Sequence, residues 1–157
     1  MSGPVMVSFL LVGEPVAKGR PRVGKSRGGR PVVYTPEKTA AYERRLRSVA
    51  SVEALRQGLR EPMTGPLSVI VEAVFANTLK SEIGSPHSVK PDADNVLKTL
   101  DALNGVIWKD DSQIARATVT KRRANMGEHP HLWVSVFDIS LALQVDLCAK
   151  RACAKSS

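Results

Sequence analysis

Residues 67–75 carry the pattern that most restricts the fold of this chain. The apolar residues Val69, Val71, Ala73 and Phe75 recur at every second position. This spacing places them on one face of a β-strand, because successive side chains point to opposite sides. A strand with one buried face needs partners, and the further predicted strands are residues 5–12 (a buried first strand), 31–34, 114–121 and 132–137, with a basic turn at 121–123.

Two other segments have the period of an amphipathic helix. The first covers residues 36–56 and begins with a Thr35 cap, Pro36 at the first helical position and Glu37 in the first turn. The second covers about residues 94–103. A small mixed β-sheet with two main helices, an α+β fold, is therefore predicted. The predicted core-facing stripes are Tyr42, Leu46, Val49 and Val52 in the first helix and Val96, Leu97, Leu100 and Leu103 in the second.

The length of 157 residues allows one domain with one core. Residues 1–140 are predicted as that domain, and residues 141–157 as a C-terminal tail that is helical or disordered. Cys148 and Cys153 both fall in the tail, so no disulfide framework holds the fold. The longest apolar stretches are too short to cross a bilayer, and the N-terminus lacks a secretory leader pattern. We therefore expect a cytoplasmic protein without membrane contact.

Positive charge is concentrated in residues 18–30, KGRPRVGKSRGGR, which we call the basic arm. The whole chain has 23 Lys+Arg against 15 Asp+Glu, a net charge of +8, which favours a polyanion such as DNA, RNA or an acidic membrane. Glycine and proline at this density exclude a helix and predict a loop or a loose hairpin tip. Cations without a counter-charge repel one another, which favours a phosphate-binding arm over a solvated loop. The predicted DNA-binding residues are Lys18, Arg20, Arg22, Lys25, Arg27 and Arg30.

Residues 90–114, KPDADNVLKTLDALNGVIWKDDSQI, have the opposite character. Asp92 and Asp94 precede the second helix, and residues two apart in an extended backbone point the same way, so both carboxylates can face one ion. Lys98 follows Asp94 by one helical turn on the same face. Asp110 and Asp111 add two carboxylates in a turn that can fold back towards the first pair.

This concentration of acids favours a metal site. Five aspartates fall within residues 92–111 of a chain with net charge +8, and clustered carboxylates repel each other and a phosphate unless a cation lies between them. Carboxylate oxygens are ligands that Mg²⁺ prefers, and Mg²⁺ promotes phosphodiester hydrolysis. The alternative is structural: Asp94 as a helix cap, Asp110 and Asp111 as a polar turn, and Asp101 as a surface residue or ion-pair partner.

The run PDADNVLK…LDALNGVIWKDDSQI resembles the signature of RusA-type crossover-junction endodeoxyribonucleases, D-x-D-N-x-x-K, D-A-L-x-G and D-D-[SA]-Q. GEPVAKGRPR and YTPEKTAAYE also resemble the prophage-borne members of that family. The resemblance covers about residues 7–137. It implies a dimeric α+β nuclease that uses Mg²⁺, with Mn²⁺ as a substitute, to resolve four-way junctions (Holliday junctions) in DNA recombination and repair.

The same resemblance assigns roles to individual residues. Asp92, Asp94 and Asp111 match the catalytic, metal-binding acids, and Lys98 matches the essential lysine. Asp110 lies beside the site without an assigned role. Asp101 follows Lys98 by three residues where the family usually has four, so no role carries over to it.

Other readings of the sequence remain open. A non-catalytic basic nucleic-acid-binding protein would explain the basic arm but not the acids, and a D-x-D sugar-nucleotide transferase would need a larger chain. His129 and His131 are interpreted as parts of a turn, and Trp108 and Trp133 as packing residues. The apolar residues Val106, Ile107 and Trp108 are the candidate for part of a dimer interface.

Overall fold

The computed structural model describes residues 6–20, 22–79 and 82–140. Four strands form one sheet in the order β1-β6-β4-β5, in which β4 and β5 are parallel and the other neighbours are antiparallel. This mixed sheet with two helices confirms the predicted α+β fold. The strands and helices, in chain order, are β1 (Met6–Val12), β2 (Arg22–Lys25), β3 (Pro31–Tyr34), α1 (Glu37–Arg56), β4 (Leu67–Phe75), α2 (Ala93–Lys98), β5 (Ile114–Arg123) and β6 (His131–Asp138).

Helix α1 packs on one face of the sheet, and the apolar core lies between them. The predicted stripe of α1 is correct at Tyr42 and Leu46 but wrong at Val52, which is 61% exposed; Ala50 and Ala54 are buried instead. The two alanines continue the i+4 row of ridges from Leu46, and their small side chains allow close packing. The predicted threonine cap is also wrong, because Pro36 holds the N-cap position without a side-chain hydrogen bond.

Strand β1 lies at one edge of the sheet. Burial in β1 alternates along the strand, with Val7, Phe9 and Leu11 in the core and Leu10 and Val12 exposed. The predicted first strand is confirmed, but its predicted burial holds for one face only, because β1 is an edge strand whose other face is exposed. Residue 5 and the predicted tail, residues 141–157, lie outside the described part of the chain.

Residues 76–113 connect β4 to β5. Parallel neighbours cannot be joined by a tight turn and need a crossover, and this crossover contains α2 followed by a 3-10 helix, Thr99–Leu103. Ile107 and Trp108 within it have no solvent exposure. The proposed dimer contact at those two residues is therefore wrong, since one small core buries them completely.

The basic turn predicted at residues 121–123 is also wrong, because these residues end β5. Arg122 bridges two acids there: its Nη2 lies 2.6 Å from Glu72 Oε1 on β4, and its Nη1 lies 2.7 Å from Glu128 Oε2. These ion pairs stabilise the strand at three consecutive cations, a composition that by itself indicates a loop.

Candidate active site

The basic arm forms a two-stranded hairpin that is separate from the main sheet. Strands β2 and β3 pair antiparallel, and the turn between them is closed by hydrogen bonds from Ser26 N to Arg30 O and from Gly29 N to Ser26 O, both 2.9 Å. Gly29 has φ +74°, a conformation that glycine adopts without steric cost. The charged residues Arg22, Lys25, Arg27 and Arg30 are all exposed. A hairpin is one of the two forms that the sequence predicts here, and its side chains are free to meet a polyanion.

The base of the basic arm is attached to the second helix. Lys18 N donates to Asn95 O at 3.0 Å, and Thr99 Oγ1 lies 3.2 Å from Val16 O. Lys18 Nζ also donates to Asp101 Oδ2 at 2.8 Å. The hydrogen bond to Asp101 raises the pKa of Lys18 above its ordinary value, so the lysine stays charged. Lys18 therefore has a fixed position, unlike the cations of the hairpin.

Asp92 and Asp94 are placed by the start of α2. Asp92 is the N-cap residue in an extended conformation, yet its side chain makes no capping hydrogen bond. Asp94 Oδ2 accepts a hydrogen bond from Lys98 Nζ at 2.9 Å, one turn along the helix. This bond lowers the pKa of Asp94 below its ordinary value. Both carboxylates are exposed, and no capping hydrogen bond occupies the oxygens of Asp92.

The segment that leads into Asp92 is held by Lys121 on β5. Lys121 Nζ donates to Val89 O at 2.9 Å and to Pro91 O at 2.6 Å. The backbone carbonyls just before Asp92 are thus fixed against the sheet. No motif in the sequence predicts this role, which depends on contacts about 30 positions away.

The two neighbouring aspartates after α2 have different environments. Asp110 Oδ1 accepts from Ser112 N at 2.9 Å and caps a short 3-10 helix, Asp111–Gln113. Hydrogen bonds from Ser112 hold the pKa of Asp110 below its ordinary value. Asp111 starts this helix with an exposed side chain. The structure thus separates a capping aspartate from one whose carboxylate faces the groove described below.

Gln113 fixes the turn that carries this aspartate pair. Its Oε1 accepts from the backbone N–H groups of Lys109 at 2.9 Å and Asp110 at 3.0 Å. Its Nε2 donates to the carbonyls of Met63 and Gly65, both at 3.0 Å. One side chain therefore ties the turn to the segment that precedes β4. The only signal for this role in the sequence is the last letter of D-D-S-Q.

A groove of about 580 Å³ brings these elements together. A neighbouring hollow of about 660 Å³ shares Lys18, Arg20 and Asp92 with it and extends to Lys90. Of the predicted DNA-binding residues, Lys18 and Arg20 line the groove, and the four hairpin cations do not. The groove is lined by Lys18, Gly19, Arg20, Asp92, Asp94, Asn95, Lys98, Asp101 and Asp111.

The donors in this groove suit a hard divalent cation. Within the described ranges, no three acidic, histidine or cysteine side chains lie close enough together to hold a metal. Mg²⁺ does not require such a set, since it commonly binds one or two protein carboxylates, several waters and a substrate phosphate. Asp92, Asp94 and Asp111 line the groove with exposed carboxylates, and one or two of these are the kind of ligand that such a site uses.

Comparison with known proteins agrees with this arrangement. The sequence profile described as endodeoxyribonuclease RusA matches residues 13–136. The chain is also similar to the uncharacterized protein YqaN of Bacillus subtilis (strain 168), with 33% identity over 147 residues, which covers 85% of this chain and 97% of the relative. None of the helices that the structure describes has the length and hydrophobicity to cross a membrane. The matched region contains the whole groove.

Proposed function

The chain belongs to the RusA endodeoxyribonuclease family, and from this premise we propose that it resolves four-way DNA junctions by paired, symmetric, Mg²⁺-dependent nicks. It is a nuclease, a hydrolase of phosphodiester bonds. The observation that carries the proposal is the shared groove: Asp92, Asp94 and Lys98, in or beside α2, and Asp111, in the turn before β5, line the same groove. DNA recombination and repair in the cytoplasm, in a prophage setting, is the context that we propose.

The roles of the groove residues follow from their chemistry. Asp92, Asp94 and Asp111 would hold the metal through carboxylate oxygens. Bound Mg²⁺ would lower the pKa of a water molecule and neutralise charge on the phosphate, and Mn²⁺ would substitute for it. Lys98 keeps its ammonium beside Asp94, where it can donate to an oxygen of the scissile phosphate as negative charge develops.

The basic arm would bind the DNA that leaves the groove. Lys18 and Arg20 line the groove, and the exposed cations Arg22, Lys25, Arg27 and Arg30 continue from it along the hairpin. Contacts of this kind neutralise phosphates without reading bases. This distribution suits a substrate that is recognised by its branched shape rather than by sequence.

Two symmetric nicks need two grooves, and the described chain has one set of acids. A homodimer with a two-fold axis would supply both, and closed two-fold dimers are the commonest soluble assembly. The interface must lie elsewhere than at Ile107 and Trp108, which are buried within the chain.

Cleavage of a labelled four-way junction with and without Mg²⁺ tests the proposal. We expect paired nicks at symmetric positions in Mg²⁺ or Mn²⁺ and none in a chelator, while a linear duplex of the same sequence stays intact. Lys98→Ala should lower the rate by about a hundredfold with an unchanged circular dichroism spectrum. Tight junction binding without cleavage in either metal would instead support the non-catalytic nucleic-acid-binding alternative.

A further inference from the structure

Lys18 is enclosed by acids from two different elements. Its ammonium lies 2.8 Å from Asp101 Oδ2 in the 3-10 helix after α2 and 3.8 Å from Glu43 Oε1 on α1. The negative charges of Asp101, Glu43 and Asp111 all raise the pKa of Lys18. Opposite charges on two sides hold the ammonium of Lys18 in place, whereas the hairpin cations are exposed.

This lysine is still accessible from the groove. Its side chain is 32% exposed, and Lys18 lines the groove together with Asp92, Asp94 and Asp111. An ammonium has three donor hydrogens, and the bond to Asp101 uses one of them. The others can meet a phosphate oxygen that enters the groove without breaking the ion pair.

We propose that Lys18 is a second lysine of the groove that contacts the substrate phosphate, and that Asp101 is its positioning residue. This inference rests on the proposed nuclease function and deepens it. It gives Asp101 a role that does not require metal binding. It also separates Lys18 from the basic arm, to which its place in the sequence assigned it.

The two assignments of Lys18 predict different measurements. A free cation of the basic arm strengthens DNA binding by releasing counterions, so its loss flattens the dependence of log K on log salt. The pair of Lys18 with Asp101 has no net charge, so it contributes little to that dependence. An ammonium fixed beside the reacting phosphate instead contributes to the rate of the chemical step, because it needs no reorganisation.

The experiment uses Lys18→Met, Asp101→Asn and the double variant, with Lys38→Met as the matched control at an exposed lysine of α1. At saturating junction DNA, Lys18→Met should lower the cleavage rate by at least about tenfold and leave the salt slope unchanged. Asp101→Asn should lower the rate less, and it should have no further effect in the Lys18→Met background beyond about twofold. Lys18→Arg, which keeps the charge, should recover part of the rate.

Several results would overturn the inference. A reduced salt slope with a normal rate at saturation would return Lys18 to the basic arm. An equal loss from Asp101→Asn in both backgrounds would mean that Asp101 acts independently, as a metal ligand would.

A readout without cleavage keeps the inference separate from the proposed function. In Asp94→Asn protein, reductive methylation of Lys18 should slow when four-way junction DNA is added, while that of Lys38 should not change. If wild-type protein cuts no junction, the proposed function fails. Slower methylation of Lys18 in the presence of DNA would still show that Lys18 contacts the DNA. Equal labelling of Lys18 with and without DNA would refute the contact.

Discussion

Replacement of Gln113 should disturb the groove, although Gln113 does not line it. This side chain makes four hydrogen bonds: two with backbone N–H groups of the aspartate turn and two with carbonyls of Met63 and Gly65. Gln113→Ala leaves all four backbone groups without that partner. Gln113→Glu is the matched variant, because it keeps the accepting oxygen but cannot donate to the two carbonyls.

The expected cost follows from these bonds. The two with carbonyls are partly buried and should contribute about 1 kcal/mol each, and the two exposed ones about 0.5 kcal/mol each. Gln113→Ala should therefore lower the free energy of unfolding by about 3 kcal/mol, and Gln113→Glu by about 2 kcal/mol. A loss of this size leaves a domain of ordinary stability folded. The freed turn should displace Asp111, and a shift of about 1 Å can lower a rate by about a hundredfold.

Urea denaturation and single-turnover cleavage of a four-way junction measure the two effects on the same samples. Gln57→Ala is the control, since Gln57 also makes two hydrogen bonds to backbone, with N and O of Ser8, but lies away from the groove. It should lower stability by about 1 kcal/mol without changing the cleavage rate. A Gln113→Ala protein with wild-type stability and rate would show that the turn holds its position by other means.

Three further predictions concern the acids, the basic arm and the sheet. Asp94→Asn should reduce the cleavage rate to below about a tenth of the wild-type rate, while junction binding, measured by gel shift, is kept or tightened. If the variant cuts at more than about a tenth of the wild-type rate, Asp94 is excluded from the chemistry. Arg22→Ala with Arg27→Ala should flatten the plot of log K against log salt by about 0.9 per lost phosphate contact, and an unchanged slope would mean that the hairpin does not touch DNA. The guanidinium of Arg122 lowers the pKa of Glu128 to about 2, so the stability from this pair is complete above the ordinary value of 4.5 and is lost as pH falls towards 2. Glu128→Gln should therefore destabilise the protein at neutral pH and progressively less below pH 4.5, as measured by thermal unfolding; an equal effect at both pH values would contradict the assignment.

The sequence predicted the elements whose pattern is local. Alternation in residues 67–75 is sufficient to predict β4, and Val69, Val71, Ala73 and Phe75 are all buried as the alternation indicates. The spacing of Asp92, Asp94 and Lys98 is likewise a property of one strand-to-helix junction. These residues lie where their spacing predicts, because their positions do not depend on contacts with distant parts of the chain.

Features that depend on a partner far along the chain could not be predicted. The basic composition of residues 121–123 indicates a turn, whereas the ion pairs of Arg122 with Glu72 and Glu128 stabilise a strand there. The buried row of α1 continues to Ala50 and Ala54, and Val52 is exposed, because the face that α1 buries depends on how the helix lies against the rest of the fold. Lys18 likewise belongs to the basic arm by sequence, and its place in the groove depends on distant partners, among them Asp101, 83 positions away.

The place of β4 between β5 and β6 has a consequence for how the nuclease becomes active in a growing chain. Hairpin β2–β3 pairs segments that are adjacent in sequence, and such local contacts form early. The central pair β4–β6 cannot form until residue 138 has been synthesised, and the crossover that carries Asp92, Asp94 and Asp111 joins β4 to β5 of that same sheet. We expect a nascent chain to acquire affinity for DNA before it can assemble the groove. Cutting would then begin only after β6 has been made.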